Sequence, residues 1–261
     1  MTPRQLSLAS FGGDVAGGWC HFVAASAQGG CQRVLGGSLG MGGEPYPDMN
    51  QGFVFGPDGA GEAVRQFAAS LRDRLLPGTL LALSTVAAEA AIAAAALDLP
   101  EEQPMALMCV HAADALRVEG RHEIEHVHDR KGLADAAEVL ADAYELPLEW
   151  CANMMGERFL ELEAADLFLA RHGDRAVAAV GSARVAGTVT LCAVGTRRAH
   201  RHRGAASEAL SAAIDHHVGE GAHLFGLVSV PGAEPLYAGL GFVAVDHLRG
   251  WLVPALSLIH I

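Results

Sequence analysis

Residues 194–206 read Val194-Gly195-Thr196-Arg197-Arg198-Ala199-His200-Arg201-His202-Arg203-Gly204-Ala205-Ala206. An apolar, strand-like segment here passes through an arginine-rich turn into a helix that opens on glycine and alanine. The first N–H groups of such a helix point in one direction, with the positive end of the helix macrodipole behind them. Small side chains at Gly204, Ala205 and Ala206 let an anion approach the backbone. The sequence therefore predicts a seat for a phosphate or pyrophosphate at this turn.

The composition narrows the class of protein. The chain has 261 residues, of which 51% are hydrophobic and 18% charged, so it can fill the core of one large or two modest domains. Its formal net charge of −12 argues against a nucleic-acid binder, which needs a basic face to displace counterions. The same charge would suit a cationic amine as substrate.

Cysteines and apolar segments bear on the compartment. The five cysteines are an odd number without a CxxC pair, which is typical of reduced, mostly buried thiols. The apolar segment 80–99 is interrupted by Ser84, Thr85, Glu89 and Asp98, so it is interpreted as a buried helix rather than a membrane span. We therefore expect a cytoplasmic protein that does not bind membranes.

The first half of the chain predicts an α/β unit. Its first fifty residues are glycine-rich, with short apolar pieces such as Trp19–Ala24, and favour short strands and turns. Helical spacing of apolar residues predicts a helix over 60–76. Ser84 is the predicted N-cap of an alanine-rich helix that ends near Leu99, and 104–110 is a predicted buried strand. This half has no phosphate-cradling turn, so we expect a structural role for it.

The second half, from Arg121, predicts the element order β-α-α-β-β-β-α-β-α-β. Period-2 runs bounded by turn residues indicate the strands, and amphipathic or capped segments indicate the helices. After a first strand near Ile124, the predicted helices are 132–144, 148–155, 205–218 and 234–239, and the predicted strands are 167–171, 176–185, 187–194, 224–230 and 242–248.

These features resemble the GNAT superfamily of acyl-CoA-dependent N-acyltransferases. Arg201-His202-Arg203-Gly204-Ala205-Ala206 fits its R/Q-x-x-G-x-G/A signature, and the element order from Arg121 to Val253 is that of its fold. The resemblance implies an α/β (α+β) fold with a mixed central sheet and flanking helices. It also implies a smaller, degenerate GNAT-like α/β domain in front. We expect domains at 1–115 and 120–255. Residues 256–261 match a translated sequencing-adapter sequence and are expected to be a non-native tail.

The resemblance implies acetyl-CoA as cosubstrate and assigns residues to it. The strand that ends at Thr196 would splay from its neighbour and offer backbone groups to the pantetheine arm, with one N–H facing the thioester oxygen. The arginine turn and the helix start would hold the pyrophosphate. The implied cofactor residues are Val194, Gly195, Thr196, Arg201, His202, Arg203, Gly204, Ala205, Ala206 and Ser207.

A second family segment supplies the candidate catalytic residue. Residues 233–242 resemble the pattern A-x-x-L-Y-x-x-x-G-F, in which the tyrosine points at the CoA sulfur. A phenol with a pKa of about 10 stays protonated at neutral pH and can donate to the leaving thiolate, so Tyr237 is the candidate general acid. A core tyrosine is the alternative. No general base is assigned. Ser229 would position the substrate or a water chain.

Other interpretations of the polar clusters are weaker. The basic run 197–203 could be a polyanion patch, which the acidic composition disfavours. His122, His126 and His128 lie among acidic residues. Only His126 and His128 would share a face of a strand, and a third ligand at a convincing spacing is missing, so no metal is predicted. Cys192 has no histidine nearby in sequence and is interpreted as packing.

The sequence thus predicts an N-acetyltransferase that moves the acetyl group of acetyl-CoA to a primary amine by direct attack. An acyl-CoA-binding regulatory or structural module without turnover is the alternative. The acceptor, bound in a groove between the halves, could be a small metabolite, a polyamine, an aminoglycoside-like drug or a peptide N-terminus. A homodimer is left open by the sequence.

Overall fold

The structure is a computed structural model that describes residues 7–26 and 28–255. The suspected tail at 256–261 lies outside the described residues. The described chain forms a single mixed sheet of eleven strands, in the spatial order β1-β2-β3-β4-β11-β5-β10-β9-β8-β7-β6. The strands are β1 (Gly30–Val34), β2 (Gly37–Met41), β3 (Asn50–Val54), β4 (Gly78–Ala82), β5 (Glu101–His111), β6 (Glu123–His126), β7 (Ala165–His172), β8 (Arg175–Val185), β9 (Thr188–Thr196), β10 (Leu224–Ser229) and β11 (Val243–Val253).

Seven α-helices of the described chain flank this sheet, and three short segments form 3-10 turns at Pro47–Met49, Glu157–Glu161 and Arg198–His200. The α-helices are α1 (Leu8–Val23), α2 (Ala60–Asp73), α3 (Ala87–Ala96), α4 (Arg130–Tyr144), α5 (Leu148–Met154), α6 (Ala205–Gly219) and α7 (Glu234–Ala238). The predicted order of elements after Arg121 is therefore the observed order, with bounds that differ by a few residues.

The two halves of the chain follow the same plan. In the first half, β1, β2 and β3 are antiparallel, α2 crosses to the parallel strand β4, and α3 leads to the long strand β5. In the second half, β7, β8 and β9, then α6 and β10, then α7 and β11 repeat that sequence. The division into domains at 1–115 and 120–255 stays a prediction.

The last strands of the two halves are exchanged across the centre of the sheet. β5 lies between β10 and β11, and β11 lies between β5 and β4. Each half therefore completes the sheet of the other, and the two share one continuous array of backbone hydrogen bonds. Neither half presents a free edge at the junction.

Helix α1 corrects a prediction for the glycine-rich start of the chain. Short strands and turns were expected there, but Leu8–Val23 is a helix that packs against the sheet. Its glycines allow close approach: a Cβ on Gly18 would lie 2.3 Å from Thr190 Oγ1, and one on Gly17 would lie 3.2 Å from Val185 Cγ2. The apolar residues between the glycines recur at helical spacing and are buried: Phe11, Val15, Trp19 and Phe22. Glycine here marks tight helix–sheet packing rather than a turn.

Ser84 is a second correction. The alanine-rich helix α3 begins at Ala87, and Val86 occupies its N-cap. The Ser84 N–H instead donates to a carboxylate oxygen of Asp246 on β11, at 2.8 Å. Ser84 thus ties the end of β4 to the strand from the other half.

The sequence analysis expects mostly buried, reduced cysteines and predicts that segment 80–99 does not span a membrane. Cys20, Cys109 and Cys151 are buried, Cys192 is half-buried and Cys31 is exposed, and all five are free thiols. Within residues 7–26 and 28–255, every helix is too short or too polar to cross a bilayer.

The packing of α1 gives a stability prediction. Gly18→Ala inserts a methyl group 2.3 Å from Thr190 Oγ1, so it should lower the free energy of unfolding by about 1–3 kcal/mol despite the better helix propensity of alanine. The control is Gly219→Ala at the end of α6, where an added Cβ meets nothing within 4 Å. Urea unfolding of both variants tests this prediction, and equal midpoints for the two would contradict the close approach of α1.

Candidate active site

The site begins where β9 and β10 separate. These parallel strands pair only over 188–190 and 224–226, and they diverge beyond Thr190. A bulge accompanies the divergence, because Gly181 pairs with Cys192 while Ala179 pairs with Gly195, which leaves one extra residue in β9. Ala193 in that bulge has φ +47. Residues 191–194 consequently line a cavity instead of bonding to β10.

The three predicted pantetheine residues occupy different surroundings. Val194 lines the cavity, and its carbonyl accepts a hydrogen bond from the Tyr144 hydroxyl at 2.7 Å. Gly195 and Thr196 lie further along β9, paired with Ala179 and Ala178 of β8. Val194 therefore lines the cavity, whereas Gly195 and Thr196 lie on the part of β9 that leads to the arginine turn.

The turn that is predicted to bind an anion lies at the start of α6. Gly204 is the N-cap with φ +86, and no side chain caps the helix. In the described part of the chain, no group accepts from the N–H of Ala205, Ala206 or Ser207. His202, with φ +60, contributes to the tight turn. These N–H groups, at the positive end of a 15-residue helix, are arranged to bind an anion.

The arginines of the turn have distinct roles. The Arg201 guanidinium donates to the Ala143 carbonyl at the end of α4, at 2.7 Å. Arg197 is buried and donates to the Ala176 carbonyl and to the Glu138 carboxylate, both at 2.8 Å. Arg203 is exposed and makes no ion pair with any described residue. Arg201 and Arg197 hold the turn on α4 and the sheet, which leaves Arg203 and the backbone for a ligand.

The first half has a corresponding helix start, but it is filled. Gly59 is the N-cap of α2 with φ +81, as Gly204 is for α6. The N–H of Gly61 donates to a carboxylate oxygen of Glu89 on α3, at 2.9 Å. The chain's own carboxylate thus occupies the place of an anion, which explains why this half can repeat the fold without offering the same seat.

A cavity of about 250 Å³ lies at the junction of the halves. It is mainly apolar, and among the described residues of its wall only Asp48 is charged. The first half contributes Val15, Trp19, Tyr46, Asp48, Met49, Gln51, Phe53 and Met105, and the second half contributes Tyr144, Leu146, Met154, 190–194, Val228, Val230, Ala233, Leu236 and Tyr237. The cavity lies at the junction where the sequence predicts an acceptor groove, and the binding of an acceptor there stays a prediction.

Tyr237 on α7 lines the cavity opposite the bulged strand. Its side chain is 7% exposed and packs edge-on against Phe242, with ring centroids 6.2 Å apart. Its hydroxyl has no hydrogen-bond partner among the described residues. Burial, and secondarily the nearby Cys192, raise the pKa of Tyr237 to about 12. The phenol is therefore protonated at neutral pH and free to donate. Burial likewise raises the pKa of the Cys192 thiol, so Cys192 is a neutral wall residue.

Ser229 is not brought together with Tyr237. Strand residues alternate in direction, so Val228 and Val230 face the cavity while Ser229 points to the opposite face of the sheet. Ser229 is 1% exposed, and its hydroxyl donates to the Val230 carbonyl at 3.1 Å. The structure thus gives this predicted positioning residue no access to the cavity.

Asp48 is a candidate residue that sequence reasoning missed. It lies in the 3-10 turn before β3, where the Thr79 hydroxyl donates to it at 3.3 Å. Burial raises the pKa of its carboxyl group. In the described ranges no lysine, arginine or histidine forms an ion pair with it. The proline-containing loop around Asp48 has no recognisable motif and is distant in sequence from the second half. Only the fold, in which the two halves exchange strands, brings Asp48 to the same cavity as Tyr144 and Tyr237.

Comparisons with known proteins agree with this architecture. Residues 133–242 match the acetyltransferase (GNAT) family. A solved GCN5-related N-acetyltransferase from Kribbella flavida is similar over 95% of this chain and 96% of its own, with 18% identity and a TM-score of 0.65. One from Sphaerobacter thermophilus covers 83% of this chain and 76% of its own, with 16% identity and a TM-score of 0.59.

A tandem GNAT protein from the clavulanic acid biosynthesis pathway is also similar, with 13% identity and a TM-score of 0.54. It covers 83% of this chain, and 78% of its own length is matched. A search of curated protein sequences finds no match. The chain therefore has the GNAT fold over most of its length, and its residues 133–242 match the model of the GNAT acetyltransferase family.

Proposed function

We propose that this protein transfers the acetyl group of acetyl-CoA to the amino group of a small, largely apolar primary amine. The observation that supports the proposal is that three features of the second half adjoin one another in the structure. A bare helix N-terminus at Gly204 leads to the bulged end of β9, and that strand leads to the cavity lined by Tyr237. A module that only bound acyl-CoA would need the first two features but not a proton donor at the third.

The cofactor would lie along the second half of the chain. Its diphosphate is placed on the N–H groups of Ala205, Ala206 and Ser207, with Arg203 beside it. The pantetheine arm then follows β9 between the diverging strands, where backbone groups of 191–196 no longer bond to β10. A backbone N–H near the bulge would stabilise the negative charge on the thioester oxygen during attack.

The acceptor would occupy the part of the cavity built by the first half. Trp19, Met49 and Phe53 offer an apolar wall, and Asp48 is the charged group within it. A half-buried carboxylate without a cationic partner is costly, and an ammonium group supplies the missing charge. A polyamine or an aminoglycoside would leave several charged groups in apolar surroundings, so a single amine on an apolar body fits better.

The reaction would then proceed by direct attack. The ammonium group must first lose a proton, and Asp48, whose pKa is raised by burial, is the base that the cavity offers. Asp48 passes that proton to the solvent. The neutral nitrogen attacks the thioester carbon to form a C–N bond and then loses its excess proton to water, the C–S bond breaks, and the sulfur takes the proton of the Tyr237 hydroxyl. The tyrosinate regains a proton from the solvent, so amide and free CoA are the products.

The cofactor seat is tested by a matched pair of glycine variants. Gly204→Glu places a carboxylate at the α6 N-terminus and should raise the Kd of acetyl-CoA by well over tenfold, or more than about 1.4 kcal/mol. Gly59→Glu makes the same change at an N-cap of similar φ, where Glu89 already fills the helix start, and should leave the Kd unchanged. Calorimetry with acetyl-CoA measures both, and thermal melting checks the fold. Equal affinities for the two variants would rule out the seat.

The proton donor is tested by Tyr237→Phe. This change should lower kcat about 100-fold while the Kd of acetyl-CoA and the melting temperature stay the same. Because the pKa of Tyr237 is about 12, the wild-type rate should rise with pH as the amine deprotonates and should not fall again below about pH 10. Release of free thiol from acetyl-CoA measures both quantities. An unchanged kcat in the variant would assign the proton to another donor.

The acceptor class is tested by Asp48→Asn with phenethylamine as the probe. Loss of the carboxylate should raise the KM for the amine at least about tenfold and leave the KM for acetyl-CoA unchanged. Asp58→Asn is the control, because it removes the same charge from an exposed loop of the same half. Faster acetylation of spermidine or kanamycin than of phenethylamine by the wild-type protein would contradict an apolar acceptor.

A further inference from the structure

Histidine side chains gather at the outer edge of the sheet, away from the cavity. His126 ends β6, Asp166 lies near the start of β7, and His216 and His217 lie in the last turn of α6. The ring centroid of His126 is 4.1 Å from that of His128 and 4.5 Å from that of His216. Three elements that are distant in sequence thus bring imidazole groups and a carboxylate to one place.

The donor atoms have the spacing of a metal site. One donor atom each from His126, Asp166 and His216 all lie within 4.8 Å of one another. His126 Nε2 is 2.8 Å from Asp166 Oδ1. Imidazole nitrogen and carboxylate oxygen bind Zn²⁺ at about 2.0–2.2 Å, so small side-chain movements place all three around one ion.

Neighbouring groups hold these donors in position. The His126 ring stacks on buried Phe168, with centroids 4.6 Å apart and an interplanar angle of 12°. The buried His217 ring contacts the other side of the carboxylate, with Nε2 3.7 Å from Asp166 Oδ2, and is itself bonded to the Ser182 hydroxyl at 2.8 Å. Outer groups of this kind orient the ligands of protein metal sites.

Electrostatics also favours a cation at this edge. The last turn of α6 carries the negative end of the helix macrodipole. Asp166 contributes a carboxylate, with one of its oxygens 2.8 Å from His126 Nε2. Glu220 is already ion-paired with Arg184 at 2.7 Å, so we leave it outside the ligand set.

We propose that His126, Asp166 and His216 bind one Zn²⁺ ion, or a similar divalent cation of the first transition row, with solvent or the exposed His128 as fourth ligand. The ion would tie the edge strand β6 to α6, the helix whose other end forms the anion seat. The sequence showed His126 and His128 but lacked a third ligand, which only the fold supplies. The site is independent of the proposed acetyl transfer, and its test requires no acceptor.

The test uses tag-free protein freed of metal with a chelator and titrated with Zn²⁺ in a calorimeter. The wild-type chain should bind one ion and melt at a higher temperature with it, because binding to the folded state alone stabilises that state. His126→Ala and His216→Ala should each weaken binding at least about tenfold. His247→Ala, at an exposed position on β11 outside the cluster, should bind as the wild type does.

Co²⁺ distinguishes this cluster from the thiols. Four-coordinate Co²⁺ bound by nitrogen and oxygen should give visible bands without a thiolate charge-transfer band, and Cys31→Ser should not change the spectrum. A thiolate band lost in Cys31→Ser would place the ion at Cys31 and overturn the proposal. So would the absence of binding, or wild-type affinity in a well-folded His126→Ala and His216→Ala double variant, whose fold is checked by circular dichroism.

Discussion

The pairing of the two long strands at the centre of the sheet is the constraint on which the rest of the structure depends. β5 and β11 come from different halves of the chain, run antiparallel to each other, and each also pairs with the penultimate strand of the other half. This exchange sets the first half opposite the diverging ends of β9 and β10. Without it, the cavity would lack the wall that carries Trp19, Asp48 and Phe53.

Within that frame the two halves use the same elements differently. Both have a crossing helix whose N-cap is a glycine of positive φ, at Gly59 and at Gly204. The Glu89 carboxylate accepts from one N–H at the start of α2, whereas no described group accepts from the first N–H groups of α6. One half therefore has the arrangement for an anionic ligand, and the other has become a partner that shapes the space beside it.

Much of the second half could be predicted from the sequence, because its signals are local. The Arg201–Ala206 signature, the capped helices and the alternating strands each depend on neighbouring residues, and they define the anion seat and Tyr237. The first half is harder to predict, because the glycines of α1 serve packing against a distant strand, whereas in the sequence their density favours turns. The sequence does not show which residues of β10 face the cavity, so it could not reveal that Val228 and Val230 face it and that Ser229 points to the opposite side of the sheet. Asp48, Glu89 and Asp166 acquire their partners only through contacts between elements far apart in the chain.

The carboxylate of Glu89 at the start of α2 has a consequence for how the molecule can diversify. Because a carboxylate of the chain accepts from an N–H at that helix start, the first half need not keep backbone groups free for an external anion. Its loops before β3 and its face of α1 can then be altered residue by residue while the other half stays constant. Under the proposed function, acceptor selectivity and cosubstrate binding would be encoded in separate portions of the chain, so new specificities could arise without changes to the residues that react.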